Sequence, residues 1–287
     1  MKTKNIKVGW ILINSQSNEY KISRLKELSI NSGHKIKFIS SVDVYLENNK
    51  SGNVILVSVK NNKMIDVPDF AISLIPDEKF DIHAYKILEF LESKNVRILN
   101  SVKSCRLATD KFKANILLSK NGFEVPETIL FSKFTNIKPK KFPLIVKPVD
   151  GRKGRGVKII ESLLELREYQ KNTNEDVLVL QELIDSFGKD IRVYILNGEC
   201  IGATRREKIQ NDLITFNTNK IEINEDMRLK SIKIAKLFDL NFCCIDYFLD
   251  KKNTICEVNA NPGYKNFEKY ISNNLSELMY LSFNNKN

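Results

Sequence analysis

Cys243-Cys244-Ile245-Asp246-Tyr247-Phe248-Leu249 and Thr254-Ile255-Cys256-Glu257-Val258-Asn259 are two short apolar runs, each broken by acidic or amide side chains. Asp250-Lys251-Lys252-Asn253 between them has the length and composition of a hairpin turn. If Leu249 lies opposite Thr254, counting back one pair at a time sets Asp246 opposite Glu257. Because side chains alternate faces along a strand, Asn259 then shares the face of Glu257. Facing side chains in such a pair have Cβ atoms about 4.5–5.5 Å apart, where two like charges destabilise. Acids set among Ile, Cys, Val and Phe need a counter-charge, and Asp, Glu and Asn oxygens are what a hard divalent cation such as magnesium prefers. The plainer account is an exposed hairpin whose acids point to water, and a one-residue slip in register would remove the facing pair.

Working outward, Pro143-Leu144-Ile145-Val146-Lys147-Pro148 reads as a buried strand that runs into Gly151-Arg152-Lys153-Gly154-Arg155-Gly156-Val157. Glycines let backbone N–H groups approach phosphate oxygens, and a lysine at the strand end adds a point charge. A hairpin with a basic tip would look similar. The run is neither a Walker A loop nor a dinucleotide fingerprint, since no Gly-Lys-Ser/Thr opens a helix and a strand follows. A second hairpin, Ile191–Leu196 and Glu199–Ala203, turns at Asn197-Gly198, a strong type I′ signal. An unbroken two-residue register sets Asp190 opposite Arg205, with Arg192 on the same side and Arg206 pointing away. That arrangement is either an ordinary cross-strand ion pair or an anion clamp, because arginine matches carboxylate and phosphate bidentately.

The rest of the chain alternates strand and helix. Ile6–Ile13, Lys35–Ser40, Phe70–Ile75 and Val96–Leu99 read as strands; Asn18–Ser32 and Asp81–Ser93 read as helices, giving a small α/β unit. Val54–Val59 and Met64–Val67 suggest a hairpin about Asn61-Asn62. Further on come a linking helix, Asp110–Lys120, strands at Glu127–Phe131, Val157–Ile160 and Val177–Gln181, and helices Ser162–Lys171 and Glu225–Leu237. With 287 residues, 42% of them hydrophobic and 28% charged, the chain can bury a substantial core. No run reaches the ~18 apolar residues of a membrane span. The basic N-terminus lacks a signal-peptide cleavage pattern, so the expected address is the cytoplasm. Cys105, Cys200, Cys243, Cys244 and Cys256 form no repeated CxxC, and His34 and His83 are the only histidines. A disulfide framework and a zinc site are thereby disfavoured. The net charge of +11 suits anionic partners, or simply reflects a lysine-rich surface. No Gly-x-Ser-x-Gly occurs, and the cysteines sit in apolar strands, so no covalent nucleophile stands out.

These segments, in this order, resemble the RimK-like ATP-grasp ligases. The resemblance runs from Asn100-Ser101, Cys105-Arg106 and Asp110-Lys111 through Ile145-Val146-Lys147-Pro148 and the glycine run. It continues in Gln181-Glu182-Leu183-Ile184 and Asp190-Ile191-Arg192, and ends at Ile245-Asp246 and Glu257-Val258-Asn259-Ala260-Asn261-Pro262-Gly263. It implies a mixed α/β and α+β architecture: a small N-terminal α/β domain (1–100), a central lobe with a glycine-rich flap (101–180), and a C-terminal lobe with the magnesium site (181–287). It also implies roles. Lys111 and Lys147 would contact ATP, the latter beneath Gly151, Gly154 and Gly156. Gln181, Glu182, Leu183 and Ile184 would lie at the adenine hinge, and Asp190 near the ribose. Asp246, Glu257 and Asn259 would ligate magnesium, or manganese in its place. Arg192, Arg205 and Arg206 would surround the reacting phosphate. The activity implied is ADP-forming ligation of a carboxylate to an amine through an acyl phosphate, on small molecules or an acidic peptide or protein acceptor. A homo-oligomer is in keeping with such relatives; membrane and nucleic acid are not expected partners. Two departures stand out. Phe216-Asn217-Thr218-Asn219-Lys220-Ile221 lacks the glycines that usually follow the family's asparagine, here Asn217, and Ser73-Leu74-Ile75 replaces a common Pro-Arg. A phosphotransferase that stops at a hydroxyl, or an anion-binding module without catalysis, are the alternatives.

Overall fold

The computed structural model describes residues 6–76, 78, 81–151, 154–186, 188–208, 216–272 and 274–283. The basic N-terminus (1–5) and the tip of the glycine run (152–153) lie outside the described residues. In chain order the first layer comprises β1 (Val8–Ile13), α1 (Glu19–Ser29), β2 (Lys35–Ser40), the pair β3 (Val44–Asn48) and β4 (Val54–Ser58), β5 (Phe70–Ser73), α2 (Ile82–Ser93) and β6 (Arg97–Leu99). Its sheet is parallel, in the order β2-β1-β5-β6. Helices cover both faces, which is why these strands read as unbroken apolar runs. Trp10, Leu12, Ala71 and Ile98 pack with α2 on one side, while Ile11, Phe70, Ile72 and Leu99 pack on the other.

Then follow α3 (Val102–Thr109), α4 (Lys111–Lys120), β7 (Thr128–Ser132), β8 (Leu144–Pro148), β9 (Lys158–Ile160), α5 (Leu163–Asn172) and β10 (Val177–Glu182). The second sheet, β7-β10-β8-β9, is antiparallel. Its Phe131, Leu144, Val146, Ile160, Leu178 and Leu180 pack around Leu166 of α5. By alternation Ile145, Lys147, Val179 and Gln181 belong to the opposite face. The third sheet is built from β11 (Lys189–Leu196), β12 (Glu199–Lys208), β13 (Phe216–Ile221), β14 (Phe242–Phe248) and β15 (Ile255–Asn259), with α6 (Glu225–Leu237) between β13 and β14. Its order is β13-β12-β11-β14-β15, again antiparallel. Helices α7 (Lys265–Tyr270) and α8 (Leu275–Leu281) end the described chain. Polar N-caps start six helices: Asn18, Asp81, Ser101, Asp110, Ser162 and Asn224 each accept a backbone N–H of the first turn. No helix among the described residues is long and apolar enough to cross a membrane.

One expectation needs correction, and two features were not expected. Met64–Val67 does not form a strand with Val54–Val59; only Val57 and Met64 bridge, and β4 pairs instead with β3. The closing turn is the one at Asn49, whose Oδ1 accepts the N–H groups of Ser51 and Asn53. The linking helix forms as α4, capped by Asp110, which also ends α3, a helix not expected from the sequence. Finally, α7 and α8 carry the C-terminal segment back to the first layer. Tyr264, Phe267, Met279, Tyr280 and Phe283 join Ile11, Leu25 and Phe70 in one core with Tyr194 and Phe242 of the third sheet. The first and third sheets are thus held by a shared apolar core.

Candidate active site

The third sheet has one face on α6 and one that divides along its length. Toward α6 lie Ile191, Val193, Ile195, Ala203, Cys243 and Ile245. On the other face, Tyr194, Leu196, Phe242 and Cys244 are apolar and pack in the shared core. Farther along the same strands, that face turns charged, with Asp190, Arg192, Arg206, Asp246 and Glu257.

Asp246 lies opposite Glu257, and Cys244 opposite Asn259. The predicted facing pair is therefore present, although the path to it is not regular. A bulge after Asp246 pairs Tyr247 with Ile255 and leaves Cys256 as the extra residue. Asp246 is only 4% exposed. Arg192 Nε donates to its Oδ1 at 2.9 Å, and Arg192 Nη2 binds Oδ2. Arg206 Nη2 adds a bond to Oδ2 at 3.3 Å, and the Cys244 thiol donates to Oδ1 at 3.0 Å. Burial alone would raise the Asp246 carboxyl; the two guanidiniums and the thiol hold it below the ordinary carboxylate value. At Asp190 burial outweighs Arg206 and raises the carboxyl. Asp246 is thus the acid whose negative charge this cluster holds more firmly.

The β11–β12 register departs from the simple count. Asn197 and Gly198 both have positive φ, as a type I′ turn requires. Then Ile195 pairs with Cys200 but Tyr194 with Gly202, so Ile201 is an inserted residue. Gly202 sits at φ +144°, and a Cβ there would come within 2.9 Å of Ile271 Cγ2. Beyond this bulge Arg206, not Arg205, lies opposite Asp190, and donates to it at 2.7 and 2.8 Å. Arg205 falls opposite Ile191 on the α6 face and binds Glu207 at 2.6 Å. Asn217 pairs with Glu207 and shares that far face. Arg205 and Asn217 therefore do not join the cluster: one inserted residue exchanges the faces of every residue beyond it.

Across from β15 stands the second sheet. Lys147 Nζ donates to Gln181 Oε1 at 2.7 Å, and Gln181 Nε2 to Thr128 Oγ1 at 2.9 Å. A cleft lies between the sheets, with Lys111, Lys147, Gln181, Cys256 and Glu257 among its walls. Lys111 Nζ binds the Gly151 carbonyl, and its backbone N–H the Val149 carbonyl at 3.0 Å, so α4 holds the base of the glycine run. Gly154 and Gly156 have φ of +69° and +71°, and a Cβ on Gly156 would meet Pro148 at 2.9 Å. Glu182 points outward to Lys141 at 3.5 Å. Leu183 and Ile184 continue half-buried from the end of β10.

Magnesium fits the donor set. Among the described residues the exposed Glu257 carboxylate has no hydrogen bond or ion pair, and Asn259 Oδ1 accepts one bond, from the Asn261 N–H at 3.0 Å. Both share a face with the anionic Asp246, and all three offer hard oxygens. No cluster of three His, Cys, Asp or Glu side chains suited to a metal occurs among the described residues, so the amide oxygen is needed to complete a trio.

Thr128, Cys244 and Cys256 went unnoticed in the sequence. Thr128 has no local signal, and the two thiols read as core. Burial pushes the Cys256 thiol up to about 12, with Lys147 opposing.

Two antiparallel sheets gripping a basic cleft, with a parallel α/β layer behind one of them, define the ATP-grasp fold. Solved structures agree. The chain superposes on the ATP-grasp ligase PsnB complexed with minimal precursor, Mg and ADP with a TM-score of 0.70, at 17% identity, covering 96% of each chain. It superposes on D-alanine–D-alanine ligase from Bacillus anthracis complexed with ATP with a TM-score of 0.71, at 18% identity, covering 97% of this chain and 98% of that one. The family model of the RimK-like ATP-grasp domain matches residues 108–282. A coenzyme γ-F420-2:α-L-glutamate ligase of Methanocaldococcus jannaschii is 28% identical over 204 residues, 66% of this chain and 71% of that protein. The chain belongs to the RimK-like ATP-grasp family, and its activity is that of an ATP-dependent, ADP-forming carboxylate–amine ligase.

Proposed function

We propose that the cleft between the second and third sheets binds ATP, with Asp246, Glu257 and Asn259 holding magnesium. The acceptor is an amino acid or peptide amine. The carrying observation is that Lys111, Lys147 and Glu257 line a single cleft, while Asp246, which lies opposite Glu257 on the same sheet face, is bound to Arg192 and Arg206, and Arg206 to Asp190. Magnesium, when bound, supplies positive charge to the phosphates.

The substrate carboxylate oxygen attacks the γ-phosphorus, the bond to the β-bridging oxygen breaks, and ADP leaves. The amine nitrogen then attacks the acyl carbon and loses a proton; the C–O bond to phosphate breaks, and inorganic phosphate departs. Lys147, Arg192 and Arg206 balance the charge that spreads over the transferred group. Backbone N–H groups at Gly154 and Gly156 are free to approach phosphate because those residues carry no Cβ. Lys111 keeps the glycine run anchored as it covers the reacting atoms, which excludes the water that would hydrolyse an acyl phosphate. Glu182, Leu183 and Ile184 form the lip for the base, and Asp190 lies between Arg206 and the ribose side. The glutamate ligase relative and the precursor-bound PsnB support acidic amino acids and peptides as the first substrates to try.

The test has two parts. Calorimetry with ATP and magnesium should show metal-dependent binding in the wild type, lost in Asp246→Ala plus Glu257→Ala. Screening amino acids and acidic peptides should then yield ADP and inorganic phosphate in equal amounts. ADP without phosphate would indicate a phosphotransferase, and no response to ATP would reject the reading.

A further inference from the structure

Lysine is seldom enclosed in a protein, since an ammonium leaves water only at considerable cost unless acceptors replace it. Lys21 is 4% exposed, one turn before Leu25 on the buried stripe of α1. Its Nζ donates to Asn261 Oδ1 at 2.5 Å and to the Asn261 carbonyl at 3.3 Å, and sits 5.3 Å from the centre of the Tyr264 ring. Asn261 is tied a second time, its Nδ2 donating to the Ile75 carbonyl at 3.0 Å. Both ties come from the first layer. Next to them Asn100 Nδ2 donates to the Ala260 carbonyl at 2.8 Å and the Phe242 carbonyl at 2.6 Å. The backbone N–H that follows Ala260 is that of Asn261, and it donates to Asn259 Oδ1. The first layer thus grips the segment that orients the Asn259 amide.

We propose that Lys21 and Asn261 are positioning residues for Asn259: they fix the backbone N–H that holds its amide oxygen in one orientation toward the metal. This rests on the assignment of Asp246, Glu257 and Asn259 as magnesium ligands. An asparagine side chain rotates freely unless a neighbour pins it, and a ligand oxygen that must be oriented on each binding event binds weakly. Groups just behind the ligands typically change metal affinity by about 10–100-fold when removed. The first layer, which contributes no ligand to the trio, would in this way set the affinity of the site for magnesium.

The experiment is a magnesium titration of ADP binding, followed by calorimetry. It compares wild type, Lys21→Met, Asn261→Ser, Glu268→Gln and the Asp246→Ala/Glu257→Ala pair. Lys21→Met and Asn261→Ser are expected to bind ADP without metal as the wild type does, but to need about 10-fold more magnesium for the metal-dependent gain. Glu268 ties α1 to α7 and α8 through Tyr20, Arg24 and Ser276 without touching Asn261. Glu268→Gln therefore loosens the same junction and should leave the magnesium requirement unchanged. Wild-type titrations in Lys21→Met and Asn261→Ser, or an equal shift in Glu268→Gln, would overturn the proposal. Thermal unfolding checks that each variant folds, and Asn261→Ser carries the test if Lys21→Met does not. Metal dependence that survives in the Asp246→Ala/Glu257→Ala pair would overturn the ligand assignment itself, a separate failure visible without either positioning variant.

Discussion

Replacing Arg206 by methionine removes the guanidinium that joins Asp190 to Asp246 and leaves most of the side-chain volume. The side chains of Arg206, Asp190 and Asp246 are 18%, 17% and 5% exposed. Loss of one partner from a fully buried ion pair costs about 3–5 kcal/mol, because the other charge is stranded. Residual solvent at Asp190, and the retained bidentate contact from Arg192 to Asp246, reduce this to about 2–4 kcal/mol on the same scale. Arg205 and Glu207 are each 38% exposed, so Arg205→Met removes a surface pair worth about 0–1 kcal/mol. Urea unfolding followed by circular dichroism measures both. Asp190→Asn supplies the control: it neutralises the stranded acid, so combined with Arg206→Met it should recover about 1–3 kcal/mol of coupling. In turnover the contrast should be sharper, with Arg206→Met lowering kcat by about 100-fold or more and Arg205→Met by a few-fold at most. If Arg205→Met destabilised as much as Arg206→Met, and Asp190 coupled to Arg205 instead, the bulge at Ile201 would be refuted and the unbroken register would stand.

Acid should weaken the fold. Asp246 is held below the ordinary carboxylate value by Arg192 and Arg206 against its burial, and Asp81 by Ala84 N–H, Ser41 and Asn14, also against burial. Their contribution is present above about pH 4 and lost as pH falls through their lowered values. Melting points measured from pH 6 to pH 3 should fall, less steeply in Asp246→Asn. Glu268 is 2% exposed and accepts from Tyr20, Arg24 and Ser276, so Glu268→Ala should cost about 3–5 kcal/mol in urea unfolding, far more than Glu268→Gln. Gly156→Ala places a Cβ against Pro148 at positive φ, a conformation that costs about 1–2 kcal/mol. Nucleotide affinity, read by calorimetry, should drop about 10-fold, while an unchanged affinity would argue that the run does not cover the phosphates. Cys256, with its thiol raised to about 12, should resist N-ethylmaleimide at pH 7 in the native protein and react fully in urea.

Much of this was legible along the chain wherever the signal was local. The type I′ turn and the strands and helices of the first layer each follow from a few adjacent side chains. The facing of Asp246 and Glu257 was reached by counting, and it holds for an instructive reason. The regular count gave the correct pair although the structure pairs Tyr247 with Ile255, because the bulge at Cys256 offsets a wider turn. No such offset exists at Gly202, where the inserted Ile201 moved Arg206 into the cluster and Arg205 out of it. Asn217 was assigned by resemblance alone, and its pairing with Glu207 places it on the far face. Lys21 carried a faint signal: a lysine four residues before Leu25 occupies an apolar-stripe position of α1.

By itself the sequence determined most of the elements, their order, and the residue types on offer: hard oxygen donors, closely spaced glycines and arginines. These rest on interactions between residues a few positions apart, which the chain order states directly. The tertiary structure decided which guanidinium reaches Asp190, that α7 and α8 return to seal the first layer onto the third sheet, and that Lys21 meets Asn261 some 240 residues away. Each depends on a register or a long-range packing choice, where one inserted residue or a buried stripe shared by distant helices outweighs any local preference.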